Sequence, residues 1–285
     1  MKNLFPILLL SLCVGFASCN EEYDADTAVS HYQPVPGKRL VASVKTTFVE
    51  NGGEATHHHR YTYDANGRIK SVNSELVVYS GKIENFIDTV YYKCNMTTSA
   101  NYFYRGEELE VAYTVSIDYP DRPVYNKFSS SSNYGIFKSN GVLSRFSQSS
   151  FDYSTTMLLQ SYADDDICFS VFRDSAGNVT GYKKFYATTG EVIEDKRNIC
   201  TYDTSSRNKN KTNFDFSAYF GYWGVEQGVP IISTPYRAPY QLAAFGMLGS
   251  TNQHLPNGVW EFDDRECPIS YTDPYGRRTE ITYHE

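Results

Sequence analysis

A mainly β fold is predicted: a curled antiparallel meander or barrel-like sheet of many hairpins, with one or two short helices in the C-terminal third. Three observations predict it. From Lys38 onward the chain consists of short segments rich in Val, Ile, Thr, Tyr and Phe. Polarity alternates along them with the two-residue period of a half-buried strand. Between them stand Gly, Asn, Asp and Ser, which close tight turns, so sequential antiparallel pairing dominates.

The elements follow in order. Leu40 to Val49 reads as a strand, Asn51-Gly52-Gly53 as a turn and Thr56 to Tyr63 as the returning strand. Ala65-Asn66-Gly67 turns the chain again into Ile69 to Val78. Leu109 to Ile117, Ile167 to Phe172 and Lys183 to Ala187 repeat the pattern. Two helical stretches then interrupt it. In Asn213 to Gly224 the residues Phe216, Tyr219, Phe220 and Trp223 recur at helical spacing behind Asn213 as a cap, although Gly221 weakens the stretch. In Pro239 to Gly249, Pro239 suits the first turn, Tyr240, Ala244, Met247 and Leu248 form an apolar stripe, and Gly249 suits the stop. Both helices are expected to plug or cap the sheet.

One turn motif recurs. Tyr61-Thr62-Tyr63-Asp64-Ala65-Asn66-Gly67-Arg68-Ile69 is echoed around Asp174, Asp203, Asp263 and Asp273. An aspartate at a strand end accepts backbone amides as an Asx-turn, and glycine supplies the positive φ that closes the hairpin. The motif resembles the YD repeats of large secreted β-shell proteins. The aspartates follow no fixed period, which excludes a solenoid or propeller.

The N-terminus carries an address. Lys2, an apolar run from Leu4 to Val14 and the small-residue stretch before Cys19 form a secretory signal peptide over residues 1–18. That run is shorter than the roughly 20 apolar residues a membrane-crossing helix needs. Phe16-Ala17-Ser18-Cys19 resembles the lipobox of bacterial lipoproteins, with Phe16 in place of the usual Leu. The resemblance implies acylation of Cys19, palmitate included, and anchoring to the outer membrane. Cys13 is the poorer candidate, because bulky Leu12 precedes it. Asn20-Glu21-Glu22-Tyr23-Asp24-Ala25-Asp26 is similar to the acidic surface-export signal of lipoproteins from gut Gram-negative anaerobes. That implies the cell surface, with the periplasmic face as the alternative. Residues 19–37 form the acidic tether, and 38–285 a single mostly β domain large enough for one sizeable core.

A net charge of −7 and a pI near 5.4 exclude nucleic acid as a partner. Cys94, Cys168, Cys200 and Cys267 could pair in three ways, and none stands at CxxC spacing. Disulfides and buried free thiols both remain open.

The late chain carries a second resemblance. Asn213-Phe214-Asp215-Phe216, the stretch Leu242 to Leu248, Asn252-Gln253-His254-Leu255-Pro256-Asn257 and Trp260-Glu261-Phe262-Asp263 look like the C-terminal half of a lipoprotein family of unknown function, described as having a porin-like fold. The likeness implies a curled antiparallel sheet and no assigned activity. It breaks at Glu266-Cys267, where the family's final hairpin has glycine. A transmembrane barrel is disfavoured, because the strands lack a consistent lipid-facing apolar alternation and the C-terminus is Tyr283-His284-Glu285.

Chemistry is sparse. HExxH, GxxxxGK[ST], GxSxG and CxxC are missing, so no catalytic residue, cofactor or metal is assigned. On a strand His57 and His59 of His57-His58-His59 share one face, two-thirds of a metal site, but no third ligand is identifiable by spacing. An exposed polar strand is the reading preferred there. His254 and Asp164-Asp165-Asp166 are read as turn residues. Asp26-Thr27-Ala28, Asp88-Thr89-Val90 and Asp174-Ser175-Ala176 look like the three-residue O-glycosylation sites of the same anaerobes.

With 25 tyrosines, the aromatic clusters are the strongest suggestion of a ligand platform, and Tyr102, Tyr104, Tyr222, Trp223 and Tyr236 are the candidate contacts. The expectation is a non-catalytic binding module for an extracellular glycan or protein. A structural or adhesion subunit of an envelope complex is the alternative, and a carboxylate-based hydrolase a third reading. An exposed aromatic strip would favour the first, an exposed apolar patch the second, and facing acids in one cleft the third.

Overall fold

The structure, a computed structural model, describes residues 38–84, 88–120, 126–137, 143–146, 149–153, 159–164, 166–197, 202, 210–214, 252 and 258–285. Among them are fifteen strands and no helix. In chain order these are β1 (Val41–Glu50), β2 (Gly53–Tyr63), β3 (Ile69–Glu84), β4 (Asp88–Arg105) and β5 (Glu108–Asp118). Then come β6 (Lys127–Phe137), β7 (Leu143–Phe146), β8 (Ser149–Tyr153), β9 (Leu159–Asp164) and β10 (Ile167–Arg173). The last are β11 (Val179–Tyr186), β12 (Val192–Lys196), β13 (Val259–Phe262), β14 (Pro268–Thr272) and β15 (Arg278–Tyr283).

All belong to one antiparallel sheet. Strands β1 to β12 follow one another as a meander, and the chain then returns so that β15 pairs with β1, with β14 and β13 beyond it. Closure into a barrel would need a ladder between β12 and β13. In the described residues β12 pairs with β11 and β13 with β14, so the sheet stays open and the barrel-like alternative is not realised. The two expected helices fall almost wholly outside the described residues. Asn213, expected as a helix cap, sits in a bend and works instead against the sheet. Its Oδ1 accepts from the Val41 amide at 3.0 Å, and its amide nitrogen donates to the Tyr63 hydroxyl at 3.0 Å.

Turn chemistry sets the register. Asn51 (φ 50°) and Gly52 (φ 80°) both take the left-handed conformation that a two-residue hairpin requires, closing β1 onto β2 at Glu50 and Gly53. Asp64, Asp174, Asp263 and Asp273 close four further hairpins with one bonding pattern. In each, Oδ1 accepts the backbone amides two and four residues on, at 2.8–3.0 Å. In each, the residue three on has positive φ: Gly67, Gly177, Glu266 and Gly276. The second carboxylate oxygen is met by Arg68, Asn178 and Arg277 from within three of the turns. In the fourth that position is Cys267, and Arg39 reaches Asp263 from the stretch just before β1. The Asp203 turn lies outside the described residues.

Strand alternation gives the sheet two unlike faces. One face carries cross-strand rows such as Ile281-Val44-His59-Ser74-Thr98-Val115 and Tyr61-Val72-Ala100-Tyr113. Val44, Tyr61, Ala100, Tyr113 and Ile281 are buried there. Phe214 packs on Tyr61 with ring centroids 5.5 Å apart, and Val41, Val44 and Ile281 complete the cluster. Each such side chain contributes about 1.5–3 kcal/mol of burial free energy. The opposite face carries Glu280-Lys45-His58-Glu75-Thr97-Ser116 and, one turn of the pleat along, Ser43, Arg60, Asn73, Ser99 and Thr114. A lipid-facing strand surface is an apolar band, and Lys or Arg at the bilayer midplane costs about 2–4 kcal/mol. This face does not have that character.

Candidate functional site

Two exposed aromatic side chains of the polar face, Phe103 and Tyr134, stand near one end of three neighbouring strands, while a third, Phe128, stands at the other end of β6. Gly106, with φ 63°, closes β4 onto β5 through a two-residue loop between Arg105 and Glu108. The ladders then place Phe103 opposite Glu110 and Glu110 opposite Tyr134, with Ile136 opposite Glu108 one row on. Two strand spacings, about 10 Å, separate the Phe103 and Tyr134 backbones. Phe103 is 41% exposed, Tyr134 63% and Ile136 45%. Glu110 sits between them, with the Tyr134 hydroxyl 3.5 Å from Oε1 and Arg105 Nη2 3.8 Å from Oε2. The result is an exposed platform: two aromatic rings and an aliphatic side chain around a carboxylate and a guanidinium. Because successive strands run in opposite directions, it lies at the end of the sheet where the chain enters at Lys38.

The candidate aromatics fall differently. Tyr102 and Tyr104 are 7% and 2% exposed, on the covered face. Tyr104 donates its hydroxyl to the Ile69 carbonyl at 2.9 Å and lies under Arg68, whose guanidinium carbon is 4.5 Å from the ring centroid. Both therefore serve the core, which corrects their expected role as open ligand contacts. Adjacent residues on a strand point to opposite faces, and Phe103 is the exposed member of the cluster. Tyr222, Trp223 and Tyr236 lie outside the described residues, as do Cys19, the signal peptide and the tether.

Phe103, Glu110, Tyr134 and Ile136 were missed from sequence. A signal was present in the register of Leu109, Val111 and Tyr113, whose apolar alternation assigns Glu108 and Glu110 to the outer face.

The histidines also differ from expectation. His58 shares the polar face with Glu75 and Lys45. His57 and His59 are on the covered face, His57 buried and His59 half-buried, with ring centroids 3.8 Å apart and planes 67° apart, so the reading of an exposed polar strand fails for His57. Burial, helped by the neighbouring histidines, pushes His59 down to about 3 and His57 well below its ordinary value. His59 Nδ1 lies 2.5 Å from Ser74 Oγ, while His57 Nδ1 is buried without a hydrogen-bond partner.

Other candidates resolve simply. Cys94, Cys168 and Cys267 carry free thiols. Asp166 caps the neighbouring turn, its carboxylate accepting from the Thr188 amide and hydroxyl at 3.1 and 3.2 Å, as a turn residue should. Ser175 is exposed in its hairpin. His254 and Asp165 lie outside the described residues. Among the described residues no group of three or more His, Cys, Asp or Glu is placed to hold a metal ion, and no helix is long and apolar enough to cross a membrane.

No family model matches the sequence, and no curated protein matches it. Among solved structures, the chain is similar to a porin-like protein from Bacteroides uniformis. The sequence identity is 10%, the coverage 89% of this chain and 100% of that one, and the TM-score 0.38.

Proposed function

We propose that the chain is a lipoprotein of the outer membrane, anchored through Cys19 at the cell surface, whose β domain is a non-catalytic binding module for an extracellular glycan or protein. The observation that carries this reading is the platform of Phe103, Tyr134 and Ile136 around Glu110. Exposed rings on rigid strands cost little entropy to engage, and their faces suit the apolar faces of sugars and of peptide side chains. Glu110 and Arg105 add directional hydrogen bonds at the platform's centre. The nineteen-residue tether of residues 19–37 spans about 25 Å as a flexible coil. That leaves room for a ligand beneath the platform, although it faces the anchored end.

The test is a screen of the full-length chain in detergent against plant, host and microbial glycans, with Phe103→Ala and Tyr134→Ala beside it. Truncating a central aromatic anchor costs about 1–2 kcal/mol, a five- to thirtyfold weakening. Reproducible binding that ignores both substitutions would move the site elsewhere. No binding by folded protein would favour the second reading, a structural or adhesion subunit. The exposed Val259, Phe262 and Ile269 on the end strands β13 and β14 support that reading, and crosslinking on intact cells would reveal its partner. The anchor is tested separately: Cys19→Ala should abolish labelling by a fatty-acid analogue and release the protein from the membrane fraction.

A further inference from the structure

Strand β6 stands inside the sheet order, yet most of its length is an edge. Its ladder with β5 runs from Ile136 opposite Glu108 to Lys127 opposite Ile117, whereas its ladder with β7 holds only Gly135, Ile136 and Phe137. Phe146 is the last residue of β7, and Ser149, Asp164 and Ile167 stand at its level on β8, β9 and β10, so those strands extend away from this part of β6. Among the described residues, Lys127 to Tyr134 therefore have a partner strand on one side only, over roughly 26 Å of strand. Burial agrees: every residue from Lys127 to Ser132 is exposed, on both faces alike, and Phe128 is 72% exposed. Backbone amides and carbonyls along such an edge are left to water and form a template for another strand, which proteins ordinarily blunt with charged side chains, proline or a bulge. Strand β12, at the end of the sheet, is blunted in that way by Glu194, Asp195 and Lys196. From Phe128 to Tyr134 the edge reads Phe-Ser-Ser-Ser-Ser-Asn-Tyr, with no charge, no proline and no bulge in its ladder with β5.

We propose that this edge of β6 binds an extended, uncharged peptide segment of a partner protein as an added β-strand, with an aromatic or aliphatic residue near each of the segment's ends. Main-chain hydrogen bonds along the open edge supply the affinity, and alternate side chains supply the selectivity. Phe128 and Tyr134 share one face of the strand, opposite Ser116 and Glu110, and favour large apolar side chains across from them. Ser130 and Ser132, between them on that face, suit small or hydroxyl-bearing neighbours. A charged side chain laid against this stretch would meet no counter-charge on β6. A second copy is a poorer occupant. In the antiparallel register that sets its Tyr134 against Phe128, its Asn126 would fall where Arg145 already pairs with Ile136. A single strand has no such obstacle. The site uses the backbone edge and shares only Tyr134 with the Phe103 platform.

The probe is the peptide Phe-Ser-Ser-Ser-Ser-Asn-Tyr, acetylated and amidated. It repeats the edge's own sequence, so that laid antiparallel it sets a ring against each of Phe128 and Tyr134 without the rest of a second copy. With the peptide bound to the full-length chain in detergent, hydrogen exchange read by mass spectrometry should slow about tenfold across Lys127 to Tyr134 and stay unchanged at β12 and β13. Ser130→Pro and Ser131→Pro separate the edge from the fold. Successive amides point to opposite sides of a strand, so one proline removes an amide facing β5 and the other an amide facing the open side. The second kind should keep the wild-type melting temperature and weaken binding of the labelled peptide about tenfold. Binding that leaves exchange along β6 unchanged, or that survives in the stable proline variant, would put the peptide on a side-chain face and overturn the added strand. Absence of binding at millimolar peptide would overturn it as well. Protection of β6 without peptide, together with a dimer mass in light scattering, would give the edge to a second copy and overturn the partner segment. A glycan held on the Phe103 platform leaves exchange across Lys127 to Ser132 as it was, so failure of one site is distinct from failure of the other.

Discussion

Arg39 places Nη1 on Oδ2 of Asp263, 224 residues away in sequence, and so supplies from the first described turn of chain what three sister hairpins supply from within themselves. Arg68, Asn178 and Arg277 fill that role at Asp64, Asp174 and Asp273. The pair also fastens the returning strands to the segment that leads into β1, where Arg39 lies over the Tyr283 ring at 4.4 Å.

Replacing Arg39 with Ala should therefore lower stability by about 1.5–3 kcal/mol, the range for a hydrogen bond to a charged group. Cys267→Arg restores an in-turn donor at the position that Arg68 and Arg277 occupy. It should recover part of the loss in the Arg39→Ala background and little in wild type. Urea unfolding of the four proteins measures the coupling. Additive effects would mean that Arg39 does not act through the turn.

The same pair predicts an acid dependence. Partial burial raises the Asp263 carboxyl, but the Cys267 and Arg265 amides and the Arg39 guanidinium outweigh it, and it sits below the ordinary carboxylate range. A carboxyl depressed in the folded state adds stability that is complete above the unfolded value, about 3.9. That stability is lost as pH falls through the folded value. The urea midpoint should thus fall below about pH 4, and fall less steeply in Arg39→Ala. An unchanged acid slope in the variant would assign the depression to the backbone amides alone.

Two turn substitutions should have opposite signs. Gly276 has φ 81° with no atom within 4 Å of an added Cβ, so Gly276→Ala meets only backbone strain and should cost about 1–2 kcal/mol. Glu266, at φ 59°, already bears that strain as a non-glycine residue. Glu266→Gly should raise stability by about 0.5–1 kcal/mol. The lost ion pair with Lys211 is half-exposed and subtracts little. Thermal melts of both variants check the pair.

Asn178 joins two distant segments. Its side chain donates to Asp174 Oδ2 at 3.0 Å and to Asn252 Oδ1 at 3.2 Å, and its Oδ1 accepts the Asn252 amide at 2.8 Å. Both asparagines are buried. Asn178→Ala strands several polar groups at once and should cost about 2–4 kcal/mol. Native-state hydrogen exchange should show faster exchange at Asn252 as well as in the turn.

Strand parity separates Tyr104 from its neighbour Phe103. Tyr104→Phe removes the bond to the Ile69 carbonyl and should cost about 1 kcal/mol without touching ligand binding. Phe103→Ala should leave stability within about 0.5 kcal/mol and weaken binding at the platform. The reverse result would place the binding face on the covered side of the sheet.

The strand-rich architecture, the hairpin order and the turn chemistry were legible in the order of the amino acids, because these depend on residues a few positions apart. Asp64 to Ile69 closes its hairpin with bonds that span at most four residues, and Thr56 to Tyr63 announces its strand by alternation. Even the departure at Glu266-Cys267 was visible. What replaces the missing donor was not, since Arg39 becomes a neighbour of Asp263 only when β15 pairs with β1. The same holds for the platform and for the histidines. Alternation says that Tyr102 and Phe103 face opposite ways, and that His57 and His59 face together, but not which side the rest of the chain covers. Burial is a property of the whole sheet, set by which face collects Tyr61, Phe214 and Ile281 from segments far apart in sequence.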